Sequence, residues 1–142
     1  VQAHDEGTIH WHDMDYTLSP IFNCCLINLE DMLDNGTVIN EKLVESPKSF
    51  GTACTVTTQI IAQVASNQYG GQSITIKHLA KYLKVTEDKA YKFYIEKYKN
   101  EELARELAKD MKMKDLKDGV QTIRYQLSTL QTTNGQELGC LC

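Results

Sequence analysis

Apolar residues recur along this chain with two periods, and the change of period divides it. Thr8-Ile9-His10-Trp11-His12 alternates and is rich in β-formers. Ile21-Phe22-Asn23-Cys24-Cys25-Leu26-Ile27 is a short, nearly continuous apolar run, bounded by Pro20 before it and by Asn28 and acidic residues after it. Such a run predicts a strand buried on both faces. Strands are therefore expected within residues 8–28, with a loop from Asp13 to Pro20 between them. Glu30 to Leu33 reads as a helical turn ended by Asn35-Gly36.

The period then lengthens. Phe50, Cys54, Thr57, Ile61 and Val64 recur every three or four residues, which predicts a buried helix over about 47–69. Ser46 is placed to cap it, Pro47 suits the first helical position, and Gly70-Gly71 supplies a left-handed stop. No charged side chain lies between Phe50 and Gly71, so this helix should be buried on several sides. From Ser73 to Thr133 the pattern is helical and much more charged. Leu79, Leu83, Ala90, Phe93, Tyr94 and Tyr98 mark one apolar side, with a break and fresh helix start expected at Val85-Thr86. Leu103, Leu107 and Met111 continue the spacing, which slips near Lys114 and resumes with Val120, Ile123, Leu127 and Leu130 until Thr132-Thr133-Asn134-Gly135.

Composition narrows the function classes. The 142 residues suffice for one domain with its own core, and 42% apolar with 24% charged residues is ordinary for a globular protein. A net charge of -4 gives no bulk reason to bind nucleic acid or an acidic membrane. The lysines from Lys77 to Lys117 are interspersed with acids and read as a solvated face. No apolar run is long enough to span a bilayer, and the opening Val1-Gln2-Ala3-His4-Asp5-Glu6 lacks the order of a signal peptide. It also lacks an initiator Met, so residue 1 is not expected to be the natural start. Five cysteines, an odd number with no C-x-x-C pair, argue against a disulfide scaffold or a zinc ribbon and for a reducing cytoplasm.

Three features could carry chemistry. His10 and His12, two residues apart, would face the same way on a strand, with Asp13 and Asp15 following. The pair suits a metal, as in a His-x-His hydrolase, or a hydrogen-bonded small anion; both rings could equally be core histidines satisfied by the aspartates. Cys24 and Cys25 would point to opposite faces of a strand, so at most one can meet a given cavity, although buried thiols are often simply small hydrophobes. Asn23, an amide inside an apolar run, must find a partner, and a substrate is one candidate. Gly70-Gly71 could let backbone approach a ligand, or could merely cap the helix.

In order along the chain, Ile9-His10-Trp11-His12-Asp13, Asp15-Tyr16, Phe22-Asn23-Cys24-Cys25-Leu26-Ile27, Glu45-Ser46-Pro47-Lys48-Ser49, Gln59-Ile60-Ile61-Ala62-Gln63-Val64-Ala65-Ser66, Gln68-Tyr69-Gly70-Gly71, Tyr125-Gln126-Leu127 and Thr133-Asn134-Gly135-Gln136 carry a specific likeness. The chain resembles the anaerobic (class III, glycyl-radical) ribonucleoside-triphosphate reductase family from about residue 4 to Gln136. The resemblance implies an α/β fold, predominantly helical in this segment, belonging to the N-terminal part of a ten-stranded α/β barrel. Residues 1–136 would be a partial catalytic barrel domain.

The resemblance also implies roles. Cys24, directly after Asn23, matches the active-site cysteine on the first barrel strand, which returns a hydrogen to the ribose, and Cys25 would turn away from the cavity. His10 and His12 fall at the family's paired histidines and would orient substrate or formate. A glycyl radical outside this chain would generate a thiyl radical on a finger loop, and formate would be the reductant. Ribonucleoside triphosphates would be the substrates and nucleotides the effectors. A radical-SAM enzyme would activate the protein, and the helices after residue 73 are candidates for a homodimer interface. The family's structural zinc has no four-cysteine ligand set here. Glu137-Leu138-Gly139-Cys140-Leu141-Cys142 has no place in the family pattern, so Cys140 and Cys142 take no role. The segment is expected to be inactive alone and prone to self-association. A His-x-His metal-dependent hydrolase and a non-catalytic interaction fragment are the alternatives.

Overall fold

A computed structural model describes residues 1–11, 14, 18, 24–67 and 70–129. The predicted strand from Thr8 is a turn over its described residues. A short helix α1 (Gln2–Asp5) precedes it, and Thr8 and Ile9 both donate their backbone N–H to the Ala3 carbonyl, at 2.9 and 3.2 Å. Those bonds close the chain back on the helix, so the N–H groups a strand would offer to a neighbour are already used.

The next segment keeps its strand only as β1 (Cys25–Leu26), because residues 21–23 lie outside the described ones. Asn28 caps α2 (Leu29–Asp34) through a side-chain oxygen 3.5 Å from the Asp31 N–H, and Leu29 and Leu33 of α2 are fully buried. A hairpin the periodicity did not announce follows, with β2 (Thr37–Ile39) antiparallel to β3 (Lys42–Val44). Asn40 and Glu41 at its tip both have positive φ, 50° and 64°, as a two-residue hairpin turn whose twist matches its strands requires.

Helix α3 (Phe50–Asn67) begins later than expected. Ser49, not Ser46, is its cap: the Thr52 N–H donates to the Ser49 hydroxyl at 3.3 Å and the Ala53 N–H to the Ser49 carbonyl at 3.0 Å. The predicted stripe holds, with Phe50, Cys54, Thr57 and Ile61 buried, and burial spreads to Ala53, Thr58, Ile60 and Ala65 on neighbouring faces. Thr57 satisfies its hydroxyl on the Ala53 carbonyl at 2.7 Å, which lets a polar residue occupy the core. Gly70, at φ 86°, follows the helix. The chain then returns as β4 (Gln72–Ser73), parallel to β1.

A 3₁₀ turn (Ile76–Leu79) leads into α4 (Ala80–Tyr98). The helix runs unbroken through Val85-Thr86, because the Thr86 hydroxyl bonds Asp115 Oδ2 across the next helix at 3.0 Å instead of capping its own. The real break is at Lys99, in the left-handed region at φ 51°, and Asn100, whose side chain accepts the Leu103 N–H at 3.2 Å. Helix α5 (Glu101–Thr129) is likewise continuous past Lys114. Its buried residues are Ala104, Ala108, Gly119 and Ile123, whereas the expected Leu103 and Met111 stand at the rim, each 37% exposed. Small residues let helix axes approach, so large neighbours are pushed outward. Phe93 and Tyr98 of α4 are also exposed, while Tyr82 is buried with its hydroxyl 3.3 Å from the Leu33 carbonyl.

The architecture is thus mostly helical, with a core drawn from α2, α3, α4, α5 and the inner face of β1–β4. At the centre, α5 lies so close to α3 that a Cβ at Gly119 would stand 2.3 Å from Phe50 Cε1 and 2.9 Å from Cys54 Sγ. The Gln126 side chain of α5 also reaches the buried Thr58 hydroxyl. No helix among the described residues is long and apolar enough to cross a membrane.

Candidate functional site

Strand β1 takes its position from backbone pairing with β4. Cys25 is in register with Gln72 and Leu26 with Ser73. The Cys25 N–H donates to the Gly71 carbonyl at 3.2 Å, and the Ile27 N–H to the Ser73 carbonyl at 2.9 Å. Side chains of paired residues in a parallel ladder share a face, and successive residues alternate. Burial follows that alternation. Ile27, Gln72 and Ile74 are buried at 6%, 5% and 5% exposure, with Cys25 half-buried on the same side. Cys24, Leu26 and Gly71 are exposed.

The strand is therefore not buried on both faces, as its apolar composition had suggested. Its inner side packs on the helical core, while Leu26 is 74% exposed because no described element covers the outer side. Cys24 lies on that open side and Cys25 is turned toward the core, as the period-two argument required.

The same pairing joins two sequence features nearly fifty residues apart. Extending the register by one residue sets Cys24 across from Gly71. The Gln72 side chain holds this turn from behind, donating Nε2–H to the Gly70 carbonyl at 2.9 Å from a nearly fully buried position.

His10 is exposed, and its ring stands 5.5 Å from that of His4, tilted by 39°. His4 in turn accepts the Trp11 N–H on Nδ1 at 3.0 Å. His4 was not singled out from the sequence; the only available signal was its spacing from His10, which no regular element makes meaningful. His12 and Asn23 lie outside the described residues, as do Asp13 and Asp15. No group of three or more His, Cys, Asp or Glu among the described residues is arranged to hold a metal ion.

Elsewhere the helices carry a different environment. Cys54 is fully buried between α3 and α5, and burial pushes its thiol up to about 11. An open groove of about 370 Å³ between α4 and α5 is lined by Glu87, Asp88, Tyr91, Arg105, Ala108 and Lys109. Arg105 there is held more firmly protonated than usual, first by its hydrogen bond to Glu101.

With this geometry in place, comparison with known proteins adds the following. The family model described as anaerobic ribonucleoside-triphosphate reductase matches residues 1–138. Among curated relatives, the anaerobic ribonucleoside-triphosphate reductases of Haemophilus influenzae and Escherichia coli are each 42% identical over 139 residues, 96% of this chain and 19% of theirs. That of Enterobacteria phage T4 is 40% identical over 96% of this chain and 23% of its own length. The chain thus spans about a fifth of the length of the curated relatives it matches.

Proposed function

The chain belongs to the anaerobic ribonucleoside-triphosphate reductase family, and from that premise we propose that it forms one wall of a site converting ribonucleoside triphosphates to deoxyribonucleoside triphosphates. The observation that carries the reading is the placement of Cys24 on the open side of β1, with Cys25 turned toward the core. A thiol that returns hydrogen to a sugar must face the space the sugar occupies, and of the two adjacent thiols Cys24 has that aspect.

In this reading β1 and β4 are the first two strands of the ten-stranded barrel, a placement supported by their parallel pairing across the α3 connection. The family's glycyl radical, on a residue outside this chain, would supply the radical chemistry that activates the ribose at C3′. Cys24 then delivers a hydrogen atom at C2′, from which the hydroxyl leaves as water. Overall the C2′–O bond is broken and a C2′–H bond formed, the 3′-hydrogen returns to C3′, the hydroxyl leaves with one proton as water, and formate, giving up its hydrogen and two electrons, is oxidised to carbon dioxide. Asn23 is assigned to hydrogen-bond substrate, and His10 with His12 to orient substrate or formate.

The α4–α5 pair, with Phe93, Tyr98, Met111 and Met113 exposed, is the candidate dimer surface. Nucleotide effectors, a radical-SAM activating enzyme and a cytoplasmic setting complete the assignment. Residues 1–138 match the family, and Cys140 and Cys142 are assigned no role.

The test is an exchange. Placing this chain over the matching stretch of the Escherichia coli relative should give an anaerobic, formate-dependent reductase that loses turnover on Cys24→Ala and keeps it on Cys25→Ala. Turnover that survives Cys24→Ala would refute the assignment.

A further inference from the structure

The two glycines after α3 have different physical reasons to be glycine. Gly70 has φ 86°, a backbone conformation that side chains resist, so the turn itself accounts for it. Gly71 does not have a positive φ, and a Cβ built on it would meet nothing within 4 Å. Neither backbone strain nor packing within the described residues requires a glycine there. Gly119 makes the contrast, since its missing side chain is demanded by Phe50 and Cys54.

What distinguishes Gly71 is its neighbour. It lies across the β1–β4 pair from Cys24, both residues are exposed, and its carbonyl accepts the Cys25 N–H at 3.2 Å, which fixes its distance from β1. Gln72 fixes the turn from the buried side. The result is a hydrogen-bonded stretch of bare backbone beside an exposed thiol.

We propose that Gly71 is a substrate-positioning residue, kept bare so that the sugar of a ribonucleotide can lie against the β1–β4 backbone next to the Cys24 thiol. The occupant rests on the reductase reading above; the bare ledge rests on geometry alone. Adjacent strands are about 4.8 Å apart, so a side chain at Gly71 would fill the space in which a sugar must come within reach of the sulfur. Approach of a ligand to backbone at a position that tolerates a side chain in the empty protein is the pattern expected of a glycine serving a ligand.

The test uses the exchanged Escherichia coli reductase described above, in which this chain is the parent, and reads alkylation of Cys24 by iodoacetamide, followed by peptide mass mapping, with and without ATP or CTP. Gly71→Val should slow Cys24 alkylation severalfold, whereas Gly51→Ala, which also adds a Cβ in open space, should leave it unchanged. In the parent chain the ribonucleotide should protect Cys24, and in Gly71→Ala, where the thiol stays reachable, that protection should be lost. Unchanged circular dichroism in Gly71→Ala separates this from misfolding. Protection that persists in both Gly71 variants would overturn the inference and leave the reductase reading standing. Absence of protection in the parent would remove the occupant and count against both.

Discussion

Two cysteines separate the molecule into a finished region and an unfinished one. Cys54 sits where α3 and α5 press together, with no exposure and every neighbour supplied by the chain itself. Cys24 lies at the start of a strand whose inner side is packed and whose outer side no described residue covers, beside a glycine that no contact among the described residues explains. The first arrangement is what stability requires; the second is what a ligand or a further layer of protein would complete. A strand of mostly apolar residues that leaves Leu26 74% exposed is a face waiting for a cover.

Substitutions should sort by that division, and the largest effect belongs to the finished side. Phe50→Ala, at 3% exposure, should cost about 3–5 kcal/mol in chemical denaturation. Gly119→Ala should cost about 1–3 kcal/mol, because its Cβ would collide with Phe50 and Cys54. A neutral result for Gly119→Ala would mean that the two helices are not so closely packed.

Next is a pH effect. The Cys54 thiol stays protonated to about 11 when folded but ionises near 9.0 when exposed. Above pH 9 the unfolded chain binds fewer protons than the folded one, so stability falls as pH rises through this window. The loss should approach about 2 kcal/mol at pH 11, and Cys54→Ala should remove that part of the slope. Native alkylation should reach Cys24 long before Cys54, and equal rates would erase the contrast between the regions.

The smallest effects are at the surface. Lys112→Ala, which removes a 2.7 Å ion pair with Glu87, should cost about 0.2–1 kcal/mol. Leu26→Ser should leave stability within about 0.5 kcal/mol while reducing self-association in sedimentation. A large loss of stability there would show that the outer side is already covered.

The finished side was the more legible in the sequence, because one helix buries its stripe whatever else is present. The spacing of Phe50, Cys54, Thr57 and Ile61 was enough to find α3. Its start was misplaced because Ser46-Pro47 and Ser49 offer equivalent local signals, and only the Thr52 N–H decides between them. Thr86 misled for a related reason: its hydroxyl serves Asp115 on another helix, a partnership no local window contains. Asn100 before Glu101 and Glu102 was the readable signal for the real break. The Thr37–Val44 hairpin escaped because its strands are three residues long and its turn is Asn-Glu, not Asn-Gly.

In the candidate site, period two correctly separated Cys24 from Cys25. It could not place Gly71 beside Cys24, since that depends on a pairing between distant segments. For His10 no strand forms over the described residues 8–11, and the structure sets it near His4, while His12 lies outside the described residues.

The parallel pairing of Cys25 with Gln72 also bears on how the chain acquires its shape. Helices α4 and α5 are joined by a tight connection and can meet as soon as both exist, whereas β1 must wait for a partner nearly fifty positions downstream. During synthesis the thiol-bearing strand therefore emerges before the strand that pairs with it, and its capture by β4 closes the largest loop among the described strand pairs.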